Sequence, residues 1–241
     1  MFGKYGESYS EALILAAGEG SRLKTHARQK VLQPIAGIPL LGRILQNLME
    51  TGIQKAHIVV GYEGHNVREE IGKAYCGLEI NYLTAQNWEK GNLYSFMEAN
   101  GIFRKEFILC MGDHISDPQL VKSLMKASVE DVLVLATDRI SYSYDDTKVL
   151  EKNGRILSIG KKLDSWNCID TGFFLCSPKM FDYGAKATEA GASELADCVR
   201  LVATNGYARV VDITGKRWVD VDTIRDIERA KKLVAKHSQK T

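Results

Sequence analysis

The stretch that most constrains the fold is Leu13-Ile-Leu-Ala-Ala17, an apolar run that passes into Gly18-Glu-Gly-Ser-Arg22 and, a few residues later, Gln29-Lys-Val-Leu-Gln-Pro34. A short apolar run closed by glycines fits a central strand covered on both faces. The glycines bare the backbone at the end of that strand. Arg22 and Lys30 add a forked cation and a point cation beside it, which suits an anion resting on N–H groups. A dinucleotide fingerprint needs a third glycine where Leu23 stands and an acidic residue closing the next strand, where Val60 runs into Gly61. A P-loop needs Lys-Ser/Thr directly after its second glycine, and Gly20 is followed by Ser21-Arg22. Both are excluded. Alone, Gly18 and Gly20 point to an ordinary turn more than to a phosphate cradle.

The pattern of strand, loop and helix then repeats. Leu41, Ile44, Leu45 and Leu48 recur at helical spacing between Pro39 and Gly52. Ala56 to Val60 reads as a strand, His65 to Ala74 as a helix, Leu78 to Leu83 as a strand and Asn92 to Ile102 as a helix. Phe107 to Met111 is a strand ending in Gly112-Asp-His114, Pro118 to Ala127 a helix and Val132 to Thr137 a strand. This alternation predicts an α/β protein of three layers with a mostly parallel central sheet. Beyond Asp138 the rhythm breaks. Lys148 to Lys152 and Arg155 to Ile159 flank Asn153-Gly154, a hairpin signal, and Cys168 to Cys176 forms a third strand-like run. Pro178 to Ala187 and Ser193 to Thr204 read as helices, and Ala208 to Ile213 as a strand. Thr223 to Lys236 is an amphipathic closing helix with Thr223 and Asp226 in capping-box positions. With no repeat and no linker, residues 1–241 read as one domain with halves 11–137 and 138–241.

The formal net charge of +2 and the lack of long like-charge blocks give no footprint for nucleic-acid binding. No apolar run is long enough to cross a bilayer, and Met1 to Ser10 lacks the core of a signal peptide, so a cytoplasmic protein is expected. Five cysteines without CxxC spacing read as free thiols, mostly buried.

Three carboxylates stand where a hard cation would be held. Asp113 follows the carboxyl end of a strand, where open α/β sheets bind ligands, although a turn before Pro118 explains it equally well. Asp220 and Asp222 lie in a second extended segment. Asp222 reads as the N-cap of the last helix, which leaves Asp220 as the better second ligand of Mg²⁺.

Five segments together resemble one family, the nucleoside-diphosphate-sugar pyrophosphorylases and related cytidylyltransferases: Leu15 to Leu23, Lys30 to Pro39, Val59 to Tyr62, Gly112-Asp113 and Trp218 to Thr223. Gly91-Asn-Leu-Tyr-Ser95 is similar to choline-phosphate-type cytidylyltransferases. Met111 to His114, Ile159 to Leu163 and Ile169 to Phe173 most resemble the CTP:inositol-1-phosphate cytidylyltransferase branch. The resemblance implies a Rossmann-like nucleotidyltransferase fold with a small β-hairpin insertion for the acceptor. It further implies transfer of a cytidylyl group from CTP to inositol 1-phosphate, a small phosphorylated polyol, with Mg²⁺ and release of pyrophosphate. Ala16 and Ala17 would meet base and ribose, Gly18, Gly20 and Arg22 the β- and γ-phosphates, and Glu19 would belong to the same nucleotide-binding loop. Lys30 would lie over the α-phosphate, Asp113 and Asp220 would hold the metal, and Lys161 would bind the acceptor's phosphate. Gly61, Gln86, Asn92 and Ser95 are expected to select the base, and Asp145 and Asp170 to meet acceptor hydroxyls. His114 adjoins Asp113, where contact with substrate and a supporting role are both open, and it has no catalytic assignment.

Two departures stand out. Gly160-Lys-Lys162 replaces the Glu-Lys-Pro common in sugar pyrophosphorylases, which removes a sugar-binding glutamate, and Gln29 stands where proline usually precedes the lysine. The inositol branch is often fused to a membrane-embedded synthase, so the chain is expected to be a stand-alone form or one part of such a fusion. A homodimer stays open. Two rival readings are a nucleotidyltransferase acting on phosphocholine or a sugar 1-phosphate, and a non-catalytic nucleotide-sensing subunit.

Overall fold

The computed structural model describes residues 9–20, 29–127, 131–140 and 145–238. The opening run is β1 (Glu11–Ala16), and its side chains alternate between two hydrophobic cores. Ala12, Ile14 and Ala16 point into one core, and Leu13, Leu15 and Ala17 into the other. Burial on both faces is what excludes a polar alternation from this strand.

After a turn of 3-10 helix at Lys30–Leu32 come the short strands β2 (Pro34–Ile35) and β3 (Ile38–Pro39), then α1 (Leu40–Glu50), β4 (Lys55–Val60) and α2 (Gly64–Ile71). The chain continues through β5 (Ala74–Tyr75), β6 (Leu78–Thr84), α3 (Asn92–Met97), β7 (Phe107–Met111), β8 (His114–Ser116), α4 (Pro118–Met125) and β9 (Leu133–Asp138). Helix α4 starts where Asp117 accepts a hydrogen bond from the Gln119 N–H at 3.0 Å and Pro118 fills the first turn. The predicted helix from Asn92 to Ile102 stops at Met97, and turns carry the chain on to Gly101.

The second half contains the expected hairpin, β10 (Lys148–Lys152) and β11 (Arg155–Gly160), followed by β12 (Cys168–Cys176). Asn153 and Gly154 both take positive φ, as a two-residue hairpin loop requires. Then come α5 (Met180–Glu189), α6 (Leu195–Thr204), β13 (Ala208–Asp212), β14 (Trp218–Asp220) and α7 (Ile224–Ser238).

Ten strands form one sheet in the order β10-β11-β13-β9-β12-β7-β1-β4-β6-β5. Strands β6, β4, β1 and β7 are parallel neighbours, as crossover helices demand. Strand β12 enters antiparallel between β7 and β9, so the second half is mixed. Strand β10 pairs with both β11 and β12, while β13 pairs with both β9 and β11, which curls these five strands into a ring. One core packs α1, α2, α4 and α7 on one face of the sheet, and the other packs α3, α5 and α6 on the opposite face. Cys110, Cys168, Cys176 and Cys198 are buried free thiols and Cys76 is an exposed one. Among the described residues no helix is long and apolar enough to cross a membrane.

Candidate active site

Strands β1, β4, β6 and β7 all end at the same edge, and the candidate residues gather there. The loop after β1, the 3-10 turn carrying Lys30 and the loop after β7 enclose a cavity of about 250 Å³ whose walls include Gly18, Gly20, Lys30, Gly112, Asp113 and Asp222. Gly20 has φ +66°, and a Cβ there would lie 2.3 Å from the Lys30 Cβ. Only glycine lets the loop pass so close to the lysine stem. Arg22 lies outside the described residues.

Lys30 is almost buried, with 9% of its side chain exposed. Its ammonium donates to Asp113 Oδ2 at 2.7 Å and to Asp222 Oδ1, and it lies 4.0 Å from Asp220 Oδ1. Burial disfavours the ammonium, but Asp113, Asp220 and Asp222 outweigh it and hold the pKa above that of an ordinary lysine. Asp222 is therefore not the N-cap expected from the sequence. Thr223 and Asp226 close the start of α7 themselves, with Thr223 N–H donating to Asp226 Oδ2 at 3.0 Å and Asp226 N–H to Thr223 Oγ1 at 3.4 Å.

His114 contacts Asp113. Its Nδ1 lies 2.6 Å from Asp113 Oδ1 and 3.9 Å from Asp220 Oδ1. Burial opposes protonation, but Asp220, Asp113 and Asp170 win and push its pKa up to about 9. The Asp113 carboxyl is raised by burial and lowered more strongly by His114 and Lys30, so it stays ionised well below the usual range. Asp220 is raised by burial and by Asp113 and Asp222, against the pull of His114 and Lys30. Strand β14 pairs with β8 so that Asp220 stands opposite His114. Asp113, His114 and Asp220 each offer a donor atom within 4.8 Å of the others. Asp220 Oδ1 is buried without a hydrogen-bond partner.

The wall beside Ala17 is built by β4 and β6. Tyr62 N–H donates to Ala17 O at 3.0 Å, and Ala85 N–H to Val60 O at 2.8 Å, which brings Gly61 and exposed Gln86 to the edge next to the glycine loop. Gln29 donates to the Tyr62 carbonyl and ties the Lys30 turn to this wall. Asn92 Oδ1 accepts from Leu195 N–H at 2.6 Å at the start of α6. Ser95 is buried within α3.

On the acceptor side, Asp170 follows the antiparallel register of β12 past the end of β7. Its carboxylate accepts from Gly172 N–H at 2.7 Å, and burial raises its pKa to about 6. Gly172, at φ +76°, packs on the His114 ring, where a Cβ would come within 2.6 Å. Exposed Lys161 accepts at its carbonyl from Lys148 Nζ at 3.0 Å, and Asp145 is exposed in the turn before β10. Two residues were given no site role by the sequence. Trp218 lies parallel to His114 with centroids 6.0 Å apart and donates Nε1–H to Asp138. Arg200 donates to the Ile159 carbonyl at 2.9 Å, and its guanidinium lies 3.0 Å from where a Gly160 Cβ would stand. A side chain at 160 would press on the flexible end of Arg200.

A doubly covered α/β sheet with a glycine loop, a buried lysine and paired carboxylates at its carboxyl edge defines a nucleotide-binding transfer protein. The chain belongs to the nucleotidyl transferase family, whose model matches residues 11–237. It is 33% identical over 234 residues to the bifunctional IPC transferase and DIPP synthase of Aquifex aeolicus, covering 93% of this chain and 52% of that protein. It is 30% identical over 226 residues to the protein of the same name from Rubrobacter xylanophilus, covering 92% and 51%. The chain thus spans about half the length of these relatives. The solved inositol-1-phosphate CTP transferase from T. maritima is similar with a TM-score of 0.85 and 26% identity, covering 96% of this chain and 97% of that one.

Proposed function

We propose that the protein transfers the cytidylyl group of CTP to inositol 1-phosphate, giving CDP-inositol and pyrophosphate. The observation that carries this reading is the Lys30 ammonium, held by Asp113 and Asp222 in a cavity walled by Gly18 and Gly20. The choice of substrates is supported by similarity to the T. maritima enzyme over nearly the full length of both chains, and by Gly160, which leaves no glutamate for a hexose.

Backbone N–H groups of Gly18 to Gly20 would receive the β- and γ-phosphates, with Arg22 assigned to them by family resemblance. Lys30 would stabilise charge on the α-phosphate as an acceptor phosphate oxygen attacks in line and the bond to the β-phosphate breaks. A phosphate dianion needs no general base, which leaves His114 to hold Asp113. Ala16, Ala17, Gly61 and Gln86 would frame the base, and Lys161 and Asp170 the acceptor. The oxygen-rich group of Asp113 and Asp220, with its unpartnered buried Oδ1, fits a hard cation, and these two residues would hold Mg²⁺. When bound, Mg²⁺ would supply charge neutralisation to the triphosphate. Cooperation with a synthase that consumes the product belongs to the same reading.

The test is a grid of nucleotides against acceptors read by pyrophosphate release. CTP with inositol 1-phosphate and Mg²⁺ should be the productive combination. Lys30→Ala and Asp113→Ala should each lower turnover by on the order of a hundredfold. Turnover of UTP with glucose 1-phosphate but not of the cytidine pair would overturn the substrate assignment.

A further inference from the structure

The three carboxylates around Lys30 are not equivalent. The segment Asp220-Val-Asp222 is extended, with Val221 fully buried and its N–H donating to the Asp113 carbonyl at 3.0 Å. In an extended segment alternate residues share a side, so both aspartates turn toward the lysine while Val221 anchors the core. From there they diverge. Asp220 presents a buried oxygen without a hydrogen-bond partner to His114 and sits 4.0 Å from the ammonium. Asp222 bonds the ammonium directly and lines the cavity with Gly18 and Gly20. The capping work that would otherwise occupy Asp222 is done by Thr223 and Asp226.

We propose that Asp222 is a positioning residue for Lys30: Asp113 and Asp220 serve the cation, while Asp222 keeps the lysine in place once Asp113 is taken. This rests on the reading of the cavity as the triphosphate site. In the ligand-free protein Lys30 bridges Asp113 and Asp222. A cation drawing on Asp113 removes one of those anchors. The stem of Lys30 is pinned beside Gly20, so Asp222 decides where the ammonium points. Without it, the ammonium keeps its stem but loses the partner that fixes its direction over the cavity. The arrangement divides labour between neighbouring carboxylates: one face of the segment handles the cation and its last residue handles the lysine.

The full chain and the variants Asp113→Asn, Asp220→Asn, Asp222→Asn and Asp222→Glu test this by three readouts. Mn²⁺ binding without nucleotide, followed by electron paramagnetic resonance, should fall at least about tenfold in the first two variants and stay within about threefold in Asp222→Asn. With CTP and inositol 1-phosphate, Asp222→Asn should lower kcat at least about tenfold at nearly constant KM for CTP, and Asp222→Glu should recover part of the loss. The Lys30 ammonium resonance in the Mg²⁺-saturated protein should persist in the wild type and vanish by solvent exchange in Asp222→Asn. A loss of Mn²⁺ affinity in Asp222→Asn equal to that of Asp220→Asn would make Asp222 a ligand and overturn the proposal. A persistent Lys30 signal or an unchanged kcat in that variant would overturn it equally. If the wild type turns over no nucleotide, the functional reading fails, and the binding and resonance readouts still decide the role of Asp222.

Discussion

Replacing Lys30 by methionine should make the site a better cation binder while removing its chemistry. The ammonium lies 2.7 Å from Asp113 Oδ2, bonds Asp222 and lies 4.0 Å from Asp220 Oδ1, so any cation using Asp113 must first displace it. The lysine side chain is 9% exposed and that of Asp113 28% exposed. That places the pair between surface ion pairs, worth about 0–1 kcal/mol, and buried ones, whose breakage costs about 3–5 kcal/mol. A value near 2 kcal/mol corresponds to roughly a thirtyfold change in affinity. Methionine keeps the length of the stem beside Gly20 and leaves three carboxylates in place. Titration of Mn²⁺ into the nucleotide-free protein, with free ion counted by electron paramagnetic resonance, should therefore show Lys30→Met binding tighter by about ten- to a hundredfold. Binding that is unchanged or weaker would show that Lys30 and the cation do not share Asp113, and the reasoning would fail.

Gly20→Ala places a methyl 2.3 Å from the Lys30 Cβ at a φ of +66°. It should lose about 1–3 kcal/mol of stability in denaturant melts and most of its turnover. Gly191→Ala, at φ +84° with nothing within 4 Å of its Cβ, should show only a stability loss in the same assays. For Asp170 the folded pKa of about 6 lies above the unbound 3.8, so the native state holds a proton that the unfolded state releases. Its contribution to stability is fullest below about pH 4 and is lost as pH rises through about 6. Asp170→Asn, which cannot ionise, should match the wild type in thermal melts near pH 4 and exceed it by about 1–3 kcal/mol at pH 8. An advantage at low pH instead would reverse the assigned sign.

What the sequence disclosed follows from how local each cause is. Strand β1 and the crossover helices were legible because burial on two faces or one stripe leaves a periodic mark on adjacent residues. The hairpin at Asn153-Gly154 was legible because its turn needs particular residues. The antiparallel insertion of β12 between β7 and β9 was not, since Cys168 to Cys176 reads the same in either direction. Lys30 and Asp113 could be singled out from their loops, with family resemblance naming their roles. Asp222 was misjudged because a carboxylate ahead of a helix looks like a cap, and only the fold brings Lys30 to it. A bond of Asn92 was hidden for the same reason: its Oδ1 accepts from Leu195 N–H at the start of α6, far along the chain. Arg200 and Trp218 act through neighbours remote in the chain, which no local pattern announces.

The short ladder between β8 and β14 joins two segments separated by roughly a hundred residues, a connection whose closure is entropically expensive. The glycine loop, Lys30 and Asp113 all belong to the parallel half, which can form from contacts nearer in sequence. Asp220 and Asp222 follow in the chain only beyond the five-stranded ring and α6. The first half by itself supplies Lys30 with Asp113 alone, with neither Asp220 as a second oxygen donor nor Asp222 as a second anchor for the lysine. Completing the site thus depends on a contact between segments far apart in the chain, made by its last strand.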